Sequence, residues 1–230
     1  MTQMSARQRF ASVRARLMEL ELWDADSLVM TAPGAVCSAA GEPVEAALFS
    51  AVSAPMAVLT AGRYAREFAK APHALCAETD DAAQMFGVCV PVRSAPRRGD
   101  TACIVPNRGF VVTARFENEL IAACILLEKL CMTARLSPRI GTPKPLAAPL
   151  CLIEHAVYTK KYSRLAAAQG KETPPETQDV SDLALRESVI AYGKKLVENR
   201  LIQATWGNVS ARIDADRFLI TPSGVDYDRI

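Results

Sequence analysis

The chain has 230 residues, about one and a half times a prior of roughly 150 residues per domain. Half of the residues are hydrophobic and 23% charged, with 14 Pro and 11 Gly, which excludes a disordered, collagenous or coiled-coil chain. Lys and Arg number 27 against 25 Asp and Glu, a net charge of +2, and no basic run exceeds a pair such as Arg97-Arg98, so no nucleic acid partner is expected.

Nowhere do about 18 uncharged apolar residues follow one another, as a membrane helix requires. No membrane partner is expected, and the expected location is cytoplasmic. The cysteines, at 37, 76, 89, 103, 124, 131 and 151, form no C-x-x-C pair and several lie in apolar strings. This favours reduced, buried thiols over a disulfide framework or a zinc site.

In chain order, short apolar runs bounded by Gly, Pro or Asp predict strands at 27–31, 56–60, 87–91, 101–105 and 110–113. Helical spacing predicts helices over 42–52, 63–71, 117–134 and 151–168, with Leu120, Cys124, Leu127 and Cys131 on one face of the third. Residues 166–181 combine Gly170, Pro174-Pro175 and many charged or hydroxyl groups. They read as a linker between a first domain over 1–165 and a second piece over 182–230. A helix over 183–201 follows, with Leu185, Val189, Tyr192 and Leu196 on one face and Ser181 or Asp182 as its N-cap. Strands at 208–213 and 217–221 then form a hairpin through Asp214-Ala215-Asp216. One helix and one hairpin cannot enclose a core alone, so this second piece is expected to pack on the first region, on another subunit, or on residues that this chain lacks.

The most informative string is T-W-G-N-V-S-A-R at 205–212, followed by F-L-I-T-P-S-G-V at 218–225. Gly-containing turns at the ends of regular elements gather backbone N–H groups, and Asn208, Ser210, Thr221 and Ser223 add polar side chains, a combination suited to an oxyanion. The same residues also suit ordinary turn chemistry. Trp206 could roof a sugar or simply enter a core.

The order helix, G-N-x-S-x-R, hairpin and I-T-P-S-G in residues 183–230 resembles the class II aldolase/adducin family, to which fuculose-phosphate aldolase belongs. The resemblance implies an α/β fold of three layers, with helices on a central, mostly antiparallel sheet. It also implies a phosphorylated sugar as ligand, bound by Gly207, Asn208, Ser223 and Gly224, and a homo-oligomer. Residues 10–160 are similar to the same family at lower clarity. Residues 26–34, D-S-L-V-M-T-A-P-G, parallel the strand and turn at 219–224, residues 58–65 stand where the family carries V-H-x-H-x-x-Y-A, and 104–109 where it carries L-x-N-H-G. The chain therefore reads as a degenerate first copy and part of a second.

Family aldolases hold a zinc or other divalent metal on three imidazoles. At the matching positions this chain has Leu59, Ala61 and Arg108, two hydrocarbons and a guanidinium that stays protonated. The chain has two histidines, His73 and His155, and neither falls at a ligand position, so no metal and no cofactor is expected. Glu45 is the one candidate for the catalytic carboxylate. The reading of Glu42 and Glu45 as first-turn acids of the helix over 42–52, favoured by its dipole, outweighs it.

Three readings remain open. The chain could be part of an active aldolase or epimerase whose metal site comes from residues elsewhere, or a catalytically inactive family module. Alternatively, residues 182–230 could complete the sheet of the first region in a permuted arrangement. That last idea leans on the first region lacking an equivalent of the helix over 183–201.

Overall fold

Fully buried strands need apolar residues on both faces, and the apolar runs of the first region fold into such a sheet. The computed structural model describes residues 5–168, 182–199, 201–202 and 207–222. The chain divides into two compact units, residues 1–161 and 162–230.

The first unit opens with α1 (Ala6–Glu19), capped by Ser5, whose hydroxyl accepts from the Gln8 N–H while the Gln8 side chain accepts from the Ser5 N–H. Phe10, Val13 and Leu17 form its buried stripe. Then come β1 (Leu28–Ala32), β2 (Ala35–Ser38), β3 (Met56–Thr60), α2 (Arg63–Phe68), β4 (Leu75–Cys76), α3 (Asp80–Phe86), β5 (Cys89–Val90), β6 (Ala102–Val105), β7 (Gly109–Ala114), α4 (Glu117–Leu136) and α5 (Ala148–Ala168). Five strands form one antiparallel sheet in the order β2-β1-β3-β7-β6. β4 and β5 make a separate two-residue ribbon.

Side chains alternate across the sheet. Met30, Ala57, Leu59, Cys103, Val105 and Val111 point to one side and pack with Val36 and Phe49 under residues 44–52. The opposite side receives α1 and α4, α4 lying on β3 and β7. Leu120, Cys124, Leu127 and Cys131 of α4 are all fully buried, as their spacing predicts. The sheet thus sits between two outer layers, the α/β arrangement expected.

Several expectations change. Residues 42–52 hold only a 3-10 turn, Ala47–Phe49, because the chain at Pro43 bridges to Cys37 and the Val44 N–H is bonded to the Val36 carbonyl. That segment runs along the outer edge of β2, so Glu42 and the exposed Glu45 are not first-turn acids of a helix. The helix absent from the sequence reading of the first region is present as α1. The five-stranded sheet is built wholly from residues of the first unit. Cys76 and Cys89, expected as thiols, are joined by a disulfide across β4 and β5, because the register places them directly opposite each other. Of the other five, Cys103, Cys124, Cys131 and Cys151 are buried thiols and Cys37 is half-buried.

α5 extends to Ala168, three residues into the stretch read as linker; residues 169–181, with Pro174 and Pro175, lie outside the described residues. In the second unit α6 (Leu183–Glu198) buries Val189 and Gly193. Leu185 and Leu196 are half-buried, but Tyr192 is exposed, with the Lys195 ammonium 5.4 Å from its ring centre. Asp182 occupies the N-cap position without a capping bond from its side chain, and Ser181 lies outside the described residues. β8 (Ser210–Arg212) and β9 (Phe218–Ile220) form the expected hairpin. Its loop is held by Asp214, whose carboxylate accepts from the Asp216 and Arg217 N–H groups and from Arg217 Nε.

Candidate functional site

Two places in the chain carry residues singled out by sequence, one in each unit. In the first, β3 ends at Thr60, and the turn between β6 and β7 carries Asn107 and Arg108. Antiparallel pairing of Thr60 with Phe110 brings the strand end and the turn together. The approach is close enough that a Cβ at Gly109, whose φ is +126°, would run into the Thr60 carbonyl and sit 2.6 Å from the Ala61 Cβ. Strand register therefore places Leu59, Ala61 and the turn that bears Arg108 at one end of the β3/β7 pair. Their chemistry does not fit a dication. Leu59 faces the apolar cluster and Ala61 is fully buried. Neither side chain has a donor atom, and the Arg108 guanidinium would repel a cation.

Polar groups do gather at this end, but they bind one another. Asp24 accepts from the Asp26 N–H at 3.0 Å and the Ser27 hydroxyl at 2.8 Å, and its second oxygen lies 3.1 Å from Arg66. The buried Thr60 hydroxyl donates to the Leu22 carbonyl and lies 3.3 Å from the Ser27 hydroxyl, while Arg66 donates to the Ala61 carbonyl. On the other flank Glu128, from α4, accepts from the N–H groups of Tyr64 at 2.6 Å and Ala65 at 3.1 Å. It thereby satisfies two open donors of the first turn of α2. Sequence reasoning missed both arrangements, since the links of Asp24 to Arg66, of Thr60 to Leu22 and Ser27, and of Glu128 to Tyr64 and Ala65 each span more than thirty residues.

Glu45 is exposed on the segment outside β2. His73 is exposed, with its ring 4.8 Å from that of Phe68. His155 lies on α5, with Nδ1 2.8 Å from the Gln84 carbonyl oxygen. Among the described residues no three His, Cys, Asp or Glu side chains group in a way that could hold a metal ion. No helix among them is long and apolar enough to cross a membrane.

In the second unit Gly207 has a φ of +84°, and both it and Asn208 are exposed at the start of the hairpin. The hairpin closes just beyond them. The Thr221 hydroxyl accepts from the Val209 N–H at 3.1 Å, and the Thr221 N–H donates to the Val209 carbonyl at 3.0 Å. Thr221 is consequently a buried hairpin clasp, whereas Ser210 is exposed. Ser223, Gly224 and Trp206 lie outside the described residues.

Residues 187–230 match the family model for the Class II Aldolase and Adducin N-terminal domain. Over that stretch the chain is similar to the class II aldolase and adducin family. It is 38% identical over 56 residues to a methylthioribulose-1-phosphate dehydratase of Bradyrhizobium sp. (strain BTAi1 / ATCC BAA-1182), a likeness covering 24% of this chain and 26% of that protein. The chain thus spans about a quarter of the length of this relative. In three dimensions it is similar to an L-fuculose 1-phosphate aldolase, with a TM-score of 0.55 over 69% of this chain and 98% of the other, at 15% identity. At that identity the structural likeness establishes the class II aldolase fold.

Proposed function

We propose that the first unit is a catalytically inactive copy of the class II aldolase fold, and that the second unit retains a binding edge for the phosphate of a sugar phosphate. The observation that carries the first half is the end of the β3/β7 pair that bears Leu59, Ala61 and Arg108. These positions present hydrocarbon and a fixed positive charge where the resemblance places imidazoles. The second half is supported by the exposure of Gly207 and Asn208 at the mouth of the hairpin and by the family match over the same stretch. The related dehydratase is named for a ketose 1-phosphate, so that is the substrate class proposed. Ser223 and Gly224 complete the proposed edge, whose backbone N–H groups and polar side chains suit an oxyanion.

Metal analysis tests the first half: the purified chain should hold no stoichiometric zinc, and tight, stoichiometric zinc would overturn it. That outcome would favour the second reading, an aldolase or epimerase whose metal site this chain shares. Hydrogen exchange tests the binding edge. Inorganic phosphate or a ketose 1-phosphate at millimolar concentration should protect residues 207–224, and unchanged exchange would remove the proposal.

A further inference from the structure

Cys76 and Cys89 face each other across a ribbon only two residues long on each side, too short to be stable by pairing alone. Their disulfide closes a loop, with a sequence separation of 13, that contains the whole of α3. This loop is the seat of the first half of α5. The Ala77 carbonyl accepts the Leu146 N–H at 2.8 Å, immediately before that helix. The Gln84 carbonyl oxygen lies 2.8 Å from His155 Nδ1, and the Gln84 amide donates to Glu154 at 3.2 Å. On the outward side of α5, Leu150, Leu152, Ile153 and Val157 are exposed. Leu146, Glu154 and His155 are thus tied to the loop that the disulfide closes.

The sulfurs of this pair are placed for exchange and most others are not. Cys76 and Cys89 are only half-buried, and accessible disulfides are the labile ones. Cys103, Cys124, Cys131 and Cys151 are buried. Burial pushes the thiols of Cys103 and Cys131 up to about 12 and raises that of Cys124 as well, which keeps them in the unreactive protonated form.

We propose that the Cys76–Cys89 disulfide is a redox switch that sets how firmly α5 is held on the first unit. The reductant is a dithiol. One of its thiolates attacks a cysteine sulfur, forming a mixed disulfide and releasing the partner cysteine as thiolate. Its second thiolate then attacks the reductant's own sulfur in the mixed disulfide and displaces the remaining cysteine as thiolate, so that two electrons and two protons pass to the protein and the dithiol leaves as its own disulfide. The direct opposition of the two cysteines lets the oxidised form of the reductant restore the bond.

The test equilibrates the full chain in graded mixtures of reduced and oxidised dithiothreitol, traps thiols with iodoacetamide, and follows hydrogen exchange. Cys76 and Cys89 should gain the label together while Cys103 and Cys124 stay protected. On reduction, exchange in 148–160 should rise by about tenfold or more and return on reoxidation. The Cys76→Ser/Cys89→Ser variant should show the raised exchange in both oxidising and reducing buffer. Labelling of both cysteines in the oxidised mixture would overturn the proposal, as would opening of the pair with no change in 148–160. Should the variant not fold, reversible reduction of the native chain decides the matter alone.

Discussion

Glu128 shows how much one side chain can organise. It projects from α4 onto the start of α2 and takes two N–H groups at once, and Gly62 leaves the space it needs, since a Cβ there would fall 2.6 Å from both carboxylate oxygens. Glu128→Ala leaves two partly buried donors without a partner, a loss on the order of 1–3 kcal/mol. Glu128→Gln keeps one acceptor and should lose less. Gly62→Ala should destabilise by about 1–3 kcal/mol through the same contact. Urea unfolding of the three variants checks the order, and an unchanged midpoint for Glu128→Ala would show that the cap contributes nothing. At this scale little was legible beforehand. G-R-Y-A at 62–65 marks a helix start, but nothing in it names a carboxylate more than sixty residues downstream.

At the scale of elements, legibility followed burial. β3 and β7 are central strands, apolar on both faces, and their runs stand out from the flanking Gly, Pro and Asp. α4 shows its face through four positions that are all fully buried. Leu127→Ala should therefore cost about 2–5 kcal/mol by opening a cavity, whereas Leu152→Ala on the exposed side of α5 should stay within about 0.5 kcal/mol. Thermal melts of the two variants check the contrast. The elements that escaped notice are those with weak local signals. α1 has three apolar anchors among four arginines, although its S-x-x-Q capping box was visible at Ser5 and Gln8. β2 and β4 are short and partly exposed, and residues 42–52 kept a helical apolar spacing although pairing with β2 holds residues 42–44 along its edge.

For the molecule as a whole, the buried thiols link packing to pH. Desolvation raises Cys103, Cys124 and Cys131 above their ordinary value of 9.0. A group whose folded pKa is raised stabilises the fold below its unfolded value. It loses that contribution as pH climbs through the folded one, because the unfolded chain releases its proton first. Stability should consequently decline from about pH 9 towards pH 12. Replacing Cys124 by Ala should flatten the decline, at the cost of a small cavity, and denaturant midpoints across that range check both. A profile that stays level would show that these thiols ionise freely in the folded chain.

The residue order alone was enough to place the buried strands and α4 and to show the family resemblance in 183–230, because these rest on local periodicity and on a contiguous motif. It also carried the proposal that Leu59, Ala61 and Arg108 stand where the resemblance places metal ligands. That those positions lie at one end of the β3/β7 pair, that Thr221 is spent on closing the hairpin, and that Cys76 finds Cys89 were decided by tertiary structure. Each depends on strand register, which brings together groups that no local pattern pairs.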